Sequence, residues 1–383
     1  MIFELHDRLE TVHFFDLGLP PREPPRPVAF REPDYLDKFD QHVMIYDVIR
    51  SGDSAIAICP DLSACNMQVE AATFFAEPSG EAVVGVRYGF DRHARILFEG
   101  LASNVTALRV AGPCGEKALY PGRARLGLFD GRRCLLTISK NNSLEWIVDW
   151  ARFHVQTAGA DALLLYDNGT TLYTPEELAE ALADTGLEAL VVVRWPYKWG
   201  PLGFQVRHRR RYWDSNFAQI AMFEHARWKY LAKARSVLNL DVDELAVSNI
   251  PGHTVFESVE AGPGGYMVFE GVWIEAGTAS ASHPPRHRDF RFTNDPPSPS
   301  PTKWACVPAR TPEGVNWATH ALRTGRKTRY RGNDLSQDAV FFHFRGVTSA
   351  WKTERKQVLN EDATRARLDE PRLAAVFAEM GWR

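Results

Sequence analysis

The chain has 383 residues, of which 45% are hydrophobic and 24% charged, and its formal net charge is -3. That length suits about two domains. The small net charge gives no overall attraction to nucleic acid or to an anionic membrane, so we expect no nucleic-acid partner. No apolar run approaches the ~20 residues that span a bilayer, and the first residues lack the apolar stretch of a secretory signal. The composition therefore predicts a cytoplasmic protein.

The first 130 residues have the pattern of a small accessory domain. Residues 16–37 are crowded with proline, which disfavours helices and sheet ladders and predicts an extended arm. From about residue 40 to residue 130, short apolar runs are separated by Gly, Asp, Ser and Pro at strand-and-turn spacing. We therefore predict an N-terminal β-rich accessory domain over residues 1–130, which includes the proline-rich arm.

After Gly131 the pattern changes to alternating strands and helices. The apolar runs CLLTI, ALLLYD, LEALVVVRW and SVLNLD alternate with helices predicted to begin near Ser143, at Pro175 and near Phe217. Such alternation predicts βαβ units and a mainly parallel sheet with helices on both faces. Residues 131–383 are thus predicted to form an α/β domain with a Rossmann-like mixed sheet.

Three polar clusters follow strands of this predicted sheet, at 140–142, 167–169 and 241–244. Ligands of open α/β sheets collect outside the carboxyl ends of the strands. In an extended chain Asp241 and Asp243 share one side, where two carboxylates repel each other unless a cation lies between them. Hard divalent cations prefer such oxygen ligands. The alternative interpretation of the DVDE turn is a solvated turn without a ligand.

The motifs, taken together and in order, are similar to those of a known enzyme family. They are KNNSLEWIVDWARFH (Lys140 to His154), LLLYDNGT (Leu163 to Thr170), Gln219, LDVDEL (Leu240 to Leu245), KWACVPAR (Lys303 to Arg310), His320 and FFHFRGVTSAWKTER (Phe341 to Arg355). The chain resembles glycosyltransferases of the GT-A fold over residues 131–356, most closely the family 92 group and family 2-like enzymes. It departs from the family 92 pattern at Asn142, Leu245 and Phe344.

The resemblance implies a nucleotide-sugar donor, with a uridine diphosphate sugar as the expected one, and a bound Mn²⁺ or Mg²⁺. The metal ligands that it implies are Asp241, Asp243 and His343. The donor would contact Lys140, Asn142, Asp167, Asp241 and Lys303. The metal would assist departure of the diphosphate as a Lewis acid. Each residue also has a structural interpretation: His343 as a histidine held by hydrogen bonds at the core edge, Asp167 in the turn Asp-Asn-Gly, and Lys303 as a solvated lysine.

The resemblance also implies inverting transfer by single displacement, which requires a base on the acceptor side. Glu275 and Glu270, in MVFEGVWIEAG, are the candidate bases. The acceptor would be a glycan or glycolipid. The basic run RHRRR, 207–211, is either a solvated loop or a site for an anionic, lipid-linked acceptor, and the second interpretation would bring peripheral contact with a membrane. The β-rich domain would capture the acceptor or form a homodimer.

Two other functions stay open at the level of sequence. A sugar nucleotidyltransferase shares the α/β pattern and the metal-binding acids, but it requires a glycine-rich phosphate loop that KNNS does not provide. A carbohydrate-binding or scaffold protein with an inactive GT-A domain would keep the fold without the metal-dependent chemistry.

Overall fold

The computed structural model describes residues 1–63, 65–201, 204–206, 210–212, 214, 217–275, 285–325, 328–330, 335–347 and 367–382. Residues 207–209 of the basic run and residues 348–355 of the late motif lie outside these ranges. Within them, no helix has both the length and the apolar character needed to cross a bilayer.

The strands are, in chain order, β1 (Ile2–His6), β2 (Val12–His13), β3 (Val43–Ile45), β4 (Asp47–Ser51), β5 (Ser54–Pro60), β6 (Thr73–Glu77), β7 (Glu81–Val83), β8 (Gly85–Gly89), β9 (His93–Phe98), β10 (Ala107–Gly112), β11 (Gly115–Leu119), β12 (Gly122–Arg123), β13 (Arg133–Ser139), β14 (Ala162–Asp167), β15 (Ala189–Arg194), β16 (Phe204–Val206), β17 (Arg210–Tyr212), β18 (Ser236–Asn239), β19 (Glu244–Ser248), β20 (Tyr266–Ile274), β21 (Phe292–Asn294), β22 (Pro299–Cys306), β23 (Val315–Trp317), β24 (Leu322–Thr324), β25 (Thr328–Arg329), β26 (Ala339–Phe344) and β27 (Arg367–Asp369).

The α-helices are α1 (Tyr35–Lys38), α2 (Asn66–Glu70), α3 (Leu144–Ala158), α4 (Pro175–Leu182), α5 (Phe217–Ala226), α6 (Val255–Ala261) and α7 (Pro371–Glu379). A π-helical turn, Arg227–Leu231, continues α5. Short 3-10 turns occupy Phe14–Leu17, Val28–Phe30, Leu126–Leu128, Ala183–Thr185, His287–Asp289 and Pro308–Arg310.

A nine-stranded sheet forms the centre of the described structure, in the order β1-β15-β14-β13-β18-β22-β20-β26-β19. β15, β14, β13 and β18 are parallel to one another, whereas β22 is antiparallel to both of its neighbours. The parallel strands are almost continuously apolar, as expected for strands that are buried on both faces. The predicted α/β class is confirmed: the chain forms a Rossmann-like mixed sheet, with small β sheets near the N-terminus.

The two faces of the sheet carry separate cores because successive side chains of a strand point to opposite faces. Leu135 and Leu163 pack on one face, in a core that includes α3 and α4. Leu136 and Leu164 pack on the other face, against α5. All ten residues of α5 are buried, since the helix also contacts β5 and β9 on the side away from the large sheet. The helix α5 therefore lies between the large sheet and the N-terminal β region.

The N-terminal region has two main sheets, β11-β10-β6-β7 and β12-β4-β5-β9-β8, around an apolar core of its own. The all-β prediction for this part agrees with these sheets. The first strand does not join them, because β1 pairs in parallel with β15, from Ile2 opposite Ala189 to His6 opposite Val193. The chain thus begins in the large sheet, and the domain boundary near residue 130 stays a prediction.

The proline-rich segment is more regular than the extended arm that the sequence predicts. It contains the turn Val28–Phe30 and the helix α1. Arg26 is fully buried, and its guanidinium donates to the two carboxylate oxygens of Asp214 at 3.0 and 2.6 Å. A buried ion pair therefore holds this segment against the α/β half.

The sequence predicts capping boxes at two helix starts, Thr174 with Glu177 at α4 and Asn142 with Glu145 at α3. α4 begins with the predicted capping box, in which Thr174 and Glu177 each accept a hydrogen bond from the other's backbone N–H. At α3, however, the cap is Ser143, whose hydroxyl accepts from the backbone N–H of Trp146, and not Asn142. Asn142 instead donates to the hydroxyl of Ser139 at 2.9 Å.

His154 on α3 is fully buried and connects this helix to β19. Its Nε2 accepts from the backbone N–H of Ala246 at 3.1 Å, and its Nδ1 lies 2.8 Å from the carbonyl oxygen of Trp150. Both contacts are satisfied by a neutral ring that carries its proton on Nδ1. Burial lowers the pKa of His154 to about 3. In the unfolded chain a histidine has its usual pKa of about 6.5.

We expect acidification to destabilise the protein through His154. Below about pH 6.5 the unfolded chain binds a proton that the folded chain does not, so the free energy of unfolding falls, by about 2 kcal/mol between pH 7 and pH 5. Urea denaturation of the parent and of His154→Gln at both pH values measures this contribution. The variant is expected to lose about 2 kcal/mol less than the parent over this interval, and equal losses would contradict the assignment.

Candidate functional site

The acidic motif forms a tight turn between β18 and β19. The backbone N–H of Glu244 donates to the carbonyl oxygen of Asp241 at 3.0 Å, and the N–H of Asp241 donates to the Glu244 carboxylate at 2.8 Å. The carbonyl oxygen of Asp243 accepts from the N–H of Phe344, which fixes the turn to the end of β26. Asp241 and Asp243 are therefore held by a turn, and not by the extended chain that the sequence argument assumes.

Asp243, Glu244 and His343 form a cluster that is able to hold a metal ion, with one ligand atom from each within 4.8 Å of the others. His343 Nε2 lies 3.2 Å from Asp243 Oδ2, and its Nδ1 lies 3.5 Å from Glu244 Oε1. The register of β19 and β26, which pairs Glu244 with His343, produces this proximity. Two carboxylates and one imidazole are a ligand set that suits Mn²⁺, and Mg²⁺ less well because it favours oxygen.

Lys303 compensates part of the negative charge of Asp241 and Glu244. Its ammonium is 2.7 Å from the Asp241 carboxylate and 2.8 Å from that of Glu244, and its side chain is 1% exposed. Burial alone would lower the pKa of Lys303, but the two carboxylates raise it above its usual value, so the lysine stays protonated. The structure thus places Lys303 against the acids of the motif.

The acids nevertheless outnumber the lysine. Burial, together with the charges of Asp241 and Asp243, raises the pKa of Glu244 to about 8, although Lys303 opposes the shift. If all three carboxylates were ionised, one ammonium would leave two negative charges in excess, so without a cation Glu244 keeps its proton at neutral pH. A divalent cation carries the charge that would remove this excess.

Contacts around His343 orient its ring. The hydroxyl of Ser300 is 2.8 Å from Nδ1, and accepting a proton there would leave the Nε2 lone pair directed at Asp243. Trp273 stacks on the ring with centroids 3.8 Å apart, and the guanidinium of Arg345 lies 4.2 Å from the Trp273 ring centre. His343 is thus fixed by Trp273 on the adjacent strand β20 and by Ser300 on β22, the next strand beyond it.

Of the two candidate bases, Glu275 lies nearer to this row of side chains. It is 7% exposed and accepts from Arg345 Nε at 3.2 Å and from Asn294 Nδ2 at 2.9 Å. Arg345 therefore connects Glu275 to Trp273 and, through that ring, to His343. Glu270 lies where the pairing of β20 with β22 shifts register, and it is exposed.

A cleft of about 1080 Å³ opens beside the ends of β14 and β15. Asp167 and Arg194 line it from the sheet, and His13, Phe15 and His42 line it from the N-terminal region. Asp167 Oδ1 also accepts from the backbone N–H of Thr170 at 2.8 Å, as expected for the turn after β14. The cleft therefore has walls from both halves of the chain.

The remaining predicted donor residues lie at the end of β13. Lys140 is exposed, and Asn142 is partly buried through its contact with Ser139.

Asp241, after β18, contacts two side chains. One is Lys303, and the other is Gln219, whose Nε2 is 3.5 Å from Asp241 Oδ1. The Gln219 amide in turn accepts from the hydroxyl of Thr319 at 3.1 Å.

Sequence reasoning did not assign roles to Glu244, Ser300 or Arg345. Glu244 stands directly after the D-x-D triplet, so a third acid next to the pair was the available signal. Ser300 and Arg345 reach the site through pairing of β22 and β26 with β20, which leaves no local pattern in the sequence.

No protein-family model matches the chain, and no curated protein matches it either. Among solved structures, core-mannan synthase A from Aspergillus fumigatus in its Mn/GDP form is 12% identical, with a TM-score of 0.25 over 38% of this chain and 44% of that one. The mannosyltransferase Ktr4p from S. cerevisiae is 13% identical, with a TM-score of 0.25 over 38% and 39% of the two chains.

The bifunctional glycosyltransferase WbbM, in its apo form, is 12% identical, with a TM-score of 0.26 over 44% of this chain and 27% of that one. The matches span less than half of the length of each of these proteins. Because these TM-scores are low, a functional assignment has to rest on the residues of the site and not on these structural similarities.

Removal of the Lys303 charge is expected to destabilise the fold. Lys303→Met would leave the acids of Asp241 and Glu244 without their buried counter-charge, which costs about 3 kcal/mol of unfolding free energy. Urea denaturation without added metal measures the effect, and Lys233→Met, at an exposed lysine, is the matched control. A Lys303→Met protein as stable as the parent would show that the ion pairs do not hold the turn.

Proposed function

We propose that the chain is a metal-dependent glycosyltransferase that uses a nucleotide-sugar donor. The observation that carries this proposal is the cluster at the carboxyl edge of the sheet, where Asp243, Glu244 and His343 converge beside an excess of negative charge. Strand ends of this kind are where open α/β sheets bind their ligands. A donor diphosphate is itself anionic, so it requires a cation at such an acidic edge.

Asp243, Glu244 and His343 would hold the metal, Mn²⁺ or Mg²⁺. When bound there, the ion supplies Lewis-acid assistance to the departing diphosphate. Asp241 is less available as a direct ligand, because its two carboxylate oxygens already contact Lys303 and Gln219, and it would act through a bound water or the donor ribose. Ser300 keeps the His343 ring in place, and Lys303 keeps the turn in place.

The donor nucleoside would lie toward the cleft that Asp167 and Arg194 line. Asp167 ends β14 at the same sheet edge as the acidic turn, because β13 pairs in parallel with both β14 and β18. Lys140 and Asn142, after β13, stand between the two strand ends and would contact the donor phosphates or ribose. A uridine diphosphate sugar is the donor that we propose.

Inverting transfer needs one base on the acceptor side. The base takes the proton of an acceptor hydroxyl, the hydroxyl oxygen bonds to the anomeric carbon, and the nucleoside diphosphate leaves with the electron pair of the broken bond. Glu275 is our first candidate, since it accepts a hydrogen bond from Arg345, and Arg345 lies over the Trp273 ring that stacks on His343. Glu270 is the second. A glycan or glycolipid would be the acceptor, and the N-terminal region would capture it or form a homodimer.

Turnover against a panel of nucleotide sugars tests the proposal, with water or glycans as acceptors. We expect activity with at least one donor that depends on Mn²⁺ or Mg²⁺ and is lost in chelator. Asp243→Asn is expected to lower kcat by at least about 100-fold, because the metal no longer stabilises the leaving group. Asp184→Asn, at an exposed aspartate, is the control. Metal-independent nucleotide binding without turnover would instead favour an inactive, carbohydrate-binding protein.

A further inference from the structure

A second cluster of metal-ligating side chains lies where the N-terminal β region meets α5. It consists of His6 at the end of β1, Asp47 at the start of β4 and His225 near the end of α5. Each offers one ligand atom, and the three atoms lie within 4.8 Å of one another. Three distant segments of the chain therefore converge on one point, and none of them contributes to the acidic turn.

A tyrosine hydroxyl holds one ring nitrogen of each histidine. His225 Nδ1 is 2.7 Å from the hydroxyl of Tyr166, and its Nε2 is 3.1 Å from Asp47 Oδ2. His6 Nδ1 is 2.8 Å from the hydroxyl of Tyr230. His6 Nε2 is buried and has no hydrogen-bond partner among the described residues. Such outer contacts are typical of metal-binding histidines, whose second nitrogen is held while the first ligates.

Two imidazoles and one carboxylate form a ligand set that suits zinc. In a tetrahedral zinc site neighbouring ligand atoms are roughly 3.3 Å apart, because each bond is about 2.0 Å long. The separation of His225 Nε2 from Asp47 Oδ2, 3.1 Å, is already close to that value. A modest approach of His6 would complete three protein ligands.

The fourth position is accessible. A second cleft, of about 320 Å³, is lined by His6 and Asp47 together with Arg8, Glu10 and Lys229. A water molecule or a small anion in this cleft would reach an ion held by the three residues. Three protein ligands with one open position is the arrangement of many zinc sites that exchange a ligand.

Lys229 supports a competing interpretation. Its ammonium lies 3.3 Å from Asp47 Oδ2, so a buried ion pair accounts for the Asp47 charge without any metal. The lysine also lines the second cleft, and its long side chain is able to turn into that space. A metal and Lys229 would therefore compete for the same carboxylate, and this competition distinguishes the two interpretations.

We propose that His6, Asp47 and His225 form a zinc-binding site that fastens the N-terminal β region to the large sheet and to α5. The site is separate from the Asp243 cluster and does not depend on the proposed glycosyl transfer. The ion would stabilise the fold by joining segments that no local sequence pattern connects.

Zinc binding by the chelator-treated full chain tests the proposal, by calorimetry and metal analysis. The background is the double variant Asp243→Asn with His343→Gln, so that the first cluster is removed. This protein is expected to bind about one zinc ion per chain and to unfold at a higher temperature with zinc than without. His6→Gln in the same background is expected to weaken binding by at least about 100-fold, since even outer contacts contribute up to about that factor. His253→Gln, at an exposed histidine, is the matched control.

Two outcomes would overturn the proposal: no zinc bound by the double variant, or equal affinity with and without His6→Gln. Lys229→Met then separates the two interpretations of the cluster. A zinc site predicts about tenfold tighter binding in this variant, because the competing ion pair is gone. A plain ion-pair network predicts lower stability with no gain in affinity. If Lys229→Met does not fold, the comparison of His6→Gln with His253→Gln still decides.

Discussion

The site depends on an imbalance of charge at the carboxyl edge of the large sheet. Asp241, Asp243 and Glu244 bring three carboxylates next to one buried lysine, Lys303. Uncompensated negative charge is unfavourable where water is excluded, and here it raises the pKa of Glu244 to about 8. A divalent cation would remove the imbalance. The carboxylates that destabilise the turn without a cation are thus the groups that would bind the cation.

The mixed sheet produces this arrangement from segments that are far apart in the chain. β22 runs antiparallel beside β18, with Asn239 opposite Trp304, so Lys303 lies next to the turn that follows β18. β26 pairs with β19 and places His343 opposite Glu244. The parallel half contributes the ends of β13, β14 and β15 at the same edge, where the larger cleft opens. Donor binding and metal binding would therefore share one rigid support.

Local patterns were enough to predict most of the parallel half and part of the site. Short stretches of sequence are enough to recognise the continuous apolar strands, the Thr174 capping box and the acids after β18. Lys303 pairs with the acids only because β22 is antiparallel to β18, and no periodicity signals that order. The same holds for β1. It pairs with β15 although the whole N-terminal β region and the strands β13 and β14 lie between the two in the sequence. The wrong extended geometry of residues 241–243 has a similar cause, since the turn is fixed by Phe344 on a distant strand.

Anomalous diffraction at the manganese edge, from crystals grown with Mn²⁺ and uridine diphosphate, tests the central claim most directly. The account predicts one peak that contacts Asp243, Glu244 and His343, with the diphosphate on its other side and Lys303 still paired with Asp241. Nucleotide in the cleft with no anomalous peak at these three side chains would contradict it, as would manganese bound only elsewhere on the chain.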